Sequence, residues 1–217
     1  MANERASGLD VFYPILPNAD WVARLVPLGI RTVQLRVKDV GRVEVRRQIA
    51  ASLAITKRCD CQLIVNDFWQ EAIEVGADYV HLGQEDLAAA DLAAIKGAGL
   101  RLGISTHSEE ELAVALSAAP DYAALGPIYE TKLKAMKWAP QGLARIGDWK
   151  ARIGNLPLVA IGGITLERAP GVMAAGAQAV AVITDFMTAP DPAERIQRWC
   201  QWADGARRQP IAITKQN

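Results

Sequence analysis

The chain has 217 residues, 51% of them hydrophobic, enough for one full-sized domain whose core needs no disulfide or metal staple. Lys plus Arg and Asp plus Glu number 24 each, so no field of one sign spreads over the molecule to attract nucleic acid or an anionic membrane, and anion binding must be local. No run approaches about 18 uninterrupted apolar residues, and Met1-Ala2-Asn3-Glu4-Arg5 lacks the apolar core of a secretory signal, which points to a cytoplasmic protein.

Residues 1–8 and 209–217 are polar and are expected to be flexible ends around one folded domain over 9–208. Val11-Phe12-Tyr13-Pro14-Ile15-Leu16 reads as a first strand, followed by a helix over 21–28 that stops at Gly29. Thr32-Val33-Gln34-Leu35-Arg36 is the second strand, and Val45, Ile49 and Leu53 mark one face of the long helix after it. Leu63-Ile64-Val65 is the third strand, ending at Asn66-Asp67 before a helix over 69–75 that closes at Gly76. Asp78 to Leu82 is the fourth strand, with a helix over 87–96.

Cys59, Cys61 and Cys200 are sparse and lack the paired spacing of a metal site, so they read as ordinary thiols. Leu102-Gly103-Ile104 is the fifth strand; Ser108-x-x-Glu111 is a capping box opening a helix with Leu112, Ala115, Leu116 and Ala119 on one face. Tyr122 to Leu125 is the sixth. Residues 126–140 are then an irregular basic stretch, longer than a strand-to-helix connection of about 2–6 residues and suited to a binding loop.

Leu158-Val159-Ala160-Ile161-Gly162-Gly163-Ile164 and Ala179-Val180-Ala181-Val182-Ile183-Thr184 are the last two strands, and a helix over 192–206 turns Ile196, Trp199 and Ala203 inward. Eight strand–helix units with no spare segment are the count of a single-domain α/β protein, a (β/α)8 TIM barrel, in which the site gathers where strands end. Both last strands stop at residues that let backbone N–H groups approach a ligand, which suits a phosphate.

The other strand ends supply a polar ring. Gln34, Arg36 and Lys38 alternate, so they share one side of the chain and bring an amide and two cations together for a polyanion. Asp67 and Asp86 follow adjacent strands; two carboxylates suit magnesium, which takes its other ligands from water and substrate phosphates, although Asp86 before Leu87 also fits a helix cap. Ser105 can donate to a phosphate oxygen. His81, inside a strand, reads as packed and hydrogen-bonded, and His107 as a base or a rim residue. Thr131, Lys132, Lys134 and Lys137 lie on the long loop, where a lysine can neutralise a phosphate, and Trp138 suits an anchor for it.

Taken together and in order, Gln34-x-Arg36-x-Lys38, Val65-Asn66-Asp67, Val80 to Asp86, Gly103-x-Ser105-x-His107, Gly126 to Tyr129, Ile161-Gly162-Gly163-Ile164 and Val182-Ile183-Thr184 resemble the thiamine phosphate synthases. The resemblance covers about residues 9–200. It implies condensation of 4-amino-5-hydroxymethyl-2-methylpyrimidine diphosphate with 4-methyl-5-(2-hydroxyethyl)thiazole phosphate, giving thiamine phosphate and diphosphate by dissociative substitution. It also implies that Gln34, Arg36, Lys38, Asn66, Ser105 and Lys134 hold the pyrimidine diphosphate, and Asp67 and Asp86 a magnesium ion. Arg36, Lys38, Lys134 and Ser105 would act in catalysis, and Thr131, Gly163, Ile183 and Thr184 would hold the thiazole phosphate.

The chain departs from that family's pattern at Leu133, where a threonine is usual, and at Thr184, where a serine is usual. A thiazole tautomerase on a similar barrel is the nearest alternative, but it expels no diphosphate and gives no reason for the pair Asp67 and Asp86. A non-catalytic phosphate-ligand sensor is the other, and it has no need of a metal beside three cations. The partners expected are small-molecule substrates. A homo-oligomer stays open, with Trp199 and Trp202 on the final helix as the residues that bear on it.

Overall fold

The computed structural model describes residues 8–131 and 138–208. Eight parallel strands close into a barrel in sequence order: β1 (Phe12–Leu16), β2 (Thr32–Leu35), β3 (Gln62–Asn66), β4 (Tyr79–Leu82), β5 (Arg101–Thr106), β6 (Tyr122–Leu125), β7 (Leu158–Ile161) and β8 (Ala179–Val182). β1 pairs with both β2 and β8, so no strand edge is left open. The helices lie outside: α1 (Ala19–Leu25), α2 (Arg42–Arg58), α3 (Trp69–Val75), α4 (Gln84–Ala89), α5 (Leu92–Gly97), α6 (Glu109–Ser117), α7 (Gly142–Ile153), α8 (Ala169–Ala174), α9 (Thr184–Met187) and α10 (Pro192–Arg208). Residues 1–7 and 209–217 of the expected flexible ends, and Lys132, Leu133, Lys134 and Lys137, lie outside the described residues.

Local chemistry explains where the elements begin and stop. Asn18 caps α1 by accepting from the Trp21 amide at 3.0 Å, so the helix starts at Ala19, two residues before the expected Trp21. A 3-10 turn, Val26–Leu28, follows, and Gly29 ends it at φ 108°, a conformation that only glycine adopts without strain. The helix expected over 87–96 is two helices. Asp91 breaks the run by accepting from the Ala94 amide at 3.0 Å and so caps α5, while Gly83, not Asp86, is the N-cap residue of α4.

In the capping box of α6, Ser108 accepts from the Glu111 amide at 3.3 Å, but the Glu111 carboxylate accepts from the His107 amide rather than from that of Ser108. α6 ends at Ser117, and Ala119 has φ 50°. Ala118 is therefore the buried residue of its last turn, while Leu116 and Ala119 face out. β8 stops at Val182, one residue short of its apolar run and two short of the expected strand, because Thr184 begins α9.

Two layers of core follow from the strand period of two. Outward-facing residues such as Leu35, Val65, Val80 and Val182 pack under the helices, where Trp149 and Trp199 are fully buried. Inward-facing residues fill the barrel with Tyr13, Ile15, Ile64, Tyr79, Tyr122 and Val159, fitted against Gly103 and small alanines. A Cβ at Gly103 would lie 2.1 Å from the Tyr122 ring, so the absent side chain is what admits that ring.

Candidate active site

The barrel interior changes character towards the C-terminal ends of the strands. Buried Gln34 on β2, Asn66 on β3 and His81 on β4 replace the apolar side chains of the layers below. They form the floor of a cavity of about 920 Å3.

His81 uses both ring nitrogens: Nδ1 lies 2.6 Å from the Tyr122 hydroxyl and Nε2 2.8 Å from Ser105 Oγ. Burial, and then the charge of Arg36, push its pKa down to about 4, so the imidazole is neutral near neutral pH. The Ser105 hydroxyl is thereby held in place beneath the mouth, and Gln84 fixes the same residue from outside by donating to its carbonyl at 2.6 Å.

One wall carries the paired carboxylates. Asp67 follows β3 with φ 66°, and its amide donates to the His81 carbonyl at 2.9 Å. Burial and then the neighbouring Asp86 carboxylate push the Asp67 pKa up to about 6, against the opposing pull of Arg36 and Lys38. Two carboxylates that resist joint ionisation beside an arginine are the donor set that a divalent cation relieves. Among the described residues no group of three or more His, Cys, Asp or Glu forms a metal site. These residues fit a hard cation that completes its shell from water and ligand oxygens.

The opposite wall is backbone. Gly162 (φ 99°) and Gly163 (φ 63°) turn the chain after β7, and a Cβ at Gly163 would lie 2.5 Å from the Glu130 carbonyl. Only glycine permits that approach to the loop after β6. Thr131 on that loop and Ile183 and Thr184 after β8 line the same end of the cavity. His107 stands at the rim, its Nδ1 2.8 Å from Glu111 and its ring stacked on Trp138 at 5.7 Å, so Trp138 does anchor its end of the loop.

Most of the site residues expected from sequence therefore meet in one place. Arg36, Asp86 and Ser105 line the cavity with the residues above. Lys38 does not: it is exposed beyond the rim, although its charge reaches Asp67. Lys134 lies outside the described residues.

The family model for thiamine monophosphate synthase matches residues 14–186, a span that contains every strand end just described. The chain belongs to the thiamine monophosphate synthase family. Among curated relatives, the thiamine-phosphate synthase of Rhizobium etli is 58% identical over 191 residues, covering 88% of this chain and 94% of that protein. That of Salmonella choleraesuis is 49% identical over 179 residues, covering 82% and 85%. Among solved structures, thiamine phosphate pyrophosphorylase from Pyrococcus furiosus superposes with a TM-score of 0.80 at 24% identity, over 93% of this chain and 98% of that one, a likeness of fold.

Against this thiamine monophosphate synthase background, several cavity residues were not singled out by sequence. Tyr13 lines the floor and was legible only as an alternating strand position. Arg168, Asp185 and Arg195 line the far end of the cavity. They follow the last two strands by several residues and carry no local motif, so only the folded chain brings them there.

Proposed function

We propose that this protein is a cytoplasmic biosynthetic transferase that joins 4-amino-5-hydroxymethyl-2-methylpyrimidine diphosphate to 4-methyl-5-(2-hydroxyethyl)thiazole phosphate, releasing thiamine phosphate and diphosphate. Family membership together with 58% identity to a thiamine-phosphate synthase over 94% of its length supports the reaction. The observation that carries the assignment of sites is one cavity with paired carboxylates and a cation at one end and a glycine-rich backbone wall at the other.

In this reading the pyrimidine diphosphate lies against Gln34, Arg36, Asn66 and Ser105, with Lys38 reaching it from the rim and Lys134 as a further cation for it. Asp67 and Asp86 hold magnesium, which supplies charge neutralisation for the diphosphate. Arg36 and Lys38 stabilise the electron pair that the diphosphate takes as its bond to the pyrimidine methylene carbon breaks. The ring amino group delocalises the positive charge left on that carbon. The thiazole phosphate is held by Thr131, Gly163, Ile183 and Thr184, so that the thiazole nitrogen faces the same carbon and forms the new C–N bond.

That nitrogen carries no proton, so the step needs no base, and the buried neutral His81 serves by orienting Ser105. The partners are two small molecules. A tautomerase is disfavoured by the paired aspartates, which an isomerisation without a leaving diphosphate leaves without a purpose.

Purified protein given both phosphorylated substrates with magnesium should form thiamine phosphate and diphosphate in equal amounts, and a chelator should stop both. Failure to form either product, in folded protein that still binds the thiazole phosphate, would sink the synthase reading.

A further inference from the structure

The far end of the cavity is backed by an ion-pair cluster that no step of the proposed reaction uses. Arg195 on α10 donates from Nε to Asp185 Oδ2 at 2.8 Å and from Nη2 to Asp185 Oδ1 at 2.9 Å, a fork-to-fork pair. The same Nη2 reaches both Glu167 oxygens, at 3.1 and 3.2 Å. The Trp199 indole adds a third donor to Asp185, at 2.7 Å. Asp185 directly follows Thr184, and Glu167 lies on the turn after β7, two residues beyond Thr165. On that same turn Arg168 donates to the Gly163 carbonyl at 2.7 Å while its guanidinium covers the Tyr129 ring at 4.5 Å.

We propose that Arg195 is a positioning residue for the thiazole phosphate: by bridging Asp185 and Glu167 it holds the backbone after β7 and the backbone after β8 at the spacing the phosphate requires. The proposal rests on placing that phosphate at Gly163, Ile183 and Thr184. Its physical basis is that α9 has only four residues and one turn, so it cannot set its own position. The side chains of Asp185 and Arg195 are 9% and 14% exposed, which keeps water from competing for the pair, and Trp199 is fixed in turn by stacking on Phe12 of β1 at 4.8 Å. The backbone donors of a phosphate site contribute only when they converge, and this cluster converts the rigidity of the barrel and α10 into that convergence.

The test compares thiazole phosphate with the unphosphorylated thiazole alcohol as acceptor, at saturating pyrimidine diphosphate. Lysine has no fork with which to bridge two carboxylates, so Arg195→Lys should raise KM for the phosphate ester about tenfold with kcat nearly unchanged, the signature of lost ground-state binding. The loss for the alcohol should be at least about fivefold smaller, because the alcohol makes no use of the two loops. Glu167→Gln, at a side chain that is 66% exposed, should leave the fold intact and move the ester KM in the same direction by about threefold, and it carries the test if the lysine variant folds poorly. Equal losses for ester and alcohol, or none, would reduce Arg195 to a structural ion pair and overturn the proposal. A wild-type protein that does not prefer the ester would instead overturn the phosphate site itself, before any variant is compared.

Discussion

Asp67 shows how a single residue can be poised against its own fold. Its carboxyl has a pKa of about 6 where 3.8 is ordinary, so the folded chain holds the proton more tightly than the unfolded chain does. Between those two values the folded state binds more protons, and its stability therefore falls as pH rises through the window. In metal-free protein Asp67→Asn should gain about 1 kcal/mol over wild type above pH 6, after allowance for partial solvent screening, and nothing below about pH 4. Melting curves at the two pH values check this. Added magnesium should raise the melting temperature of the wild type and not of the variant. Asp67→Ala should lower turnover by at least about 10^2–10^3-fold while the protein stays folded. A fully active, magnesium-dependent alanine variant would remove Asp67 from the metal site. The polar ring itself was legible because strand ends are marked in sequence by abrupt changes from apolar to polar residues. The bonds between Tyr122, His81 and Ser105 were not, because they join residues up to 41 positions apart and depend on strand register.

At the scale of elements, the strands were legible and the ends of the helices less so. Each strand is a short β-branched or apolar run with a defined stop, whereas the helix boundaries turn on single residues, with a capping bond at Asp91 and without one at Thr184. Asp91 splitting α4 from α5 and Thr184 turning β8 into α9 are examples, and neither leaves a trace in hydrophobic period. Gly103 is a case where an element carries a constraint from its neighbour, since the β5 glycine is opposite the β6 tyrosine whose ring fills its space. Gly103→Ala should therefore destabilise the barrel by about 1–3 kcal/mol or more through overpacking. Melting should drop by about 2–4 °C per kcal/mol lost. If the Tyr122 ring yields instead, its 2.6 Å bond to His81 lengthens and Ser105 loses its hold, so turnover should fall even where the melting change is small. A variant with unchanged melting and unchanged turnover would show that the interior has more room than this packing allows.

The whole molecule is held as a ring, and a ring is only as stable as its closure. β8 returns to β1 through pairs such as Phe12 with Val180, and α10 locks the seam from outside, with Trp199 stacked on Phe12 and Arg207 gripping Asp10 through both carboxylate oxygens at 2.6 Å. Asp10 is 8% exposed, and its own amide donates to the Thr32 hydroxyl on β2 at 2.9 Å, so this one ion pair joins the last helix to the first two strands. Removing the cation would leave a nearly buried carboxylate without its counter-charge, a heavier loss than that of an exposed pair. Arg207→Gln should cost about 2 kcal/mol at neutral pH, less than a fully buried pair because Arg207 keeps 22% of its side chain in solvent. Since the Asp10–Arg207 pair sits before β1, at the end of the barrel opposite the cavity, KM for both substrates should stay within about twofold of wild type at temperatures below the melting onset. A large change in either KM with unchanged stability would mean that closure at the base is transmitted to the mouth, and that the barrel is softer along its axis than its packed interior implies.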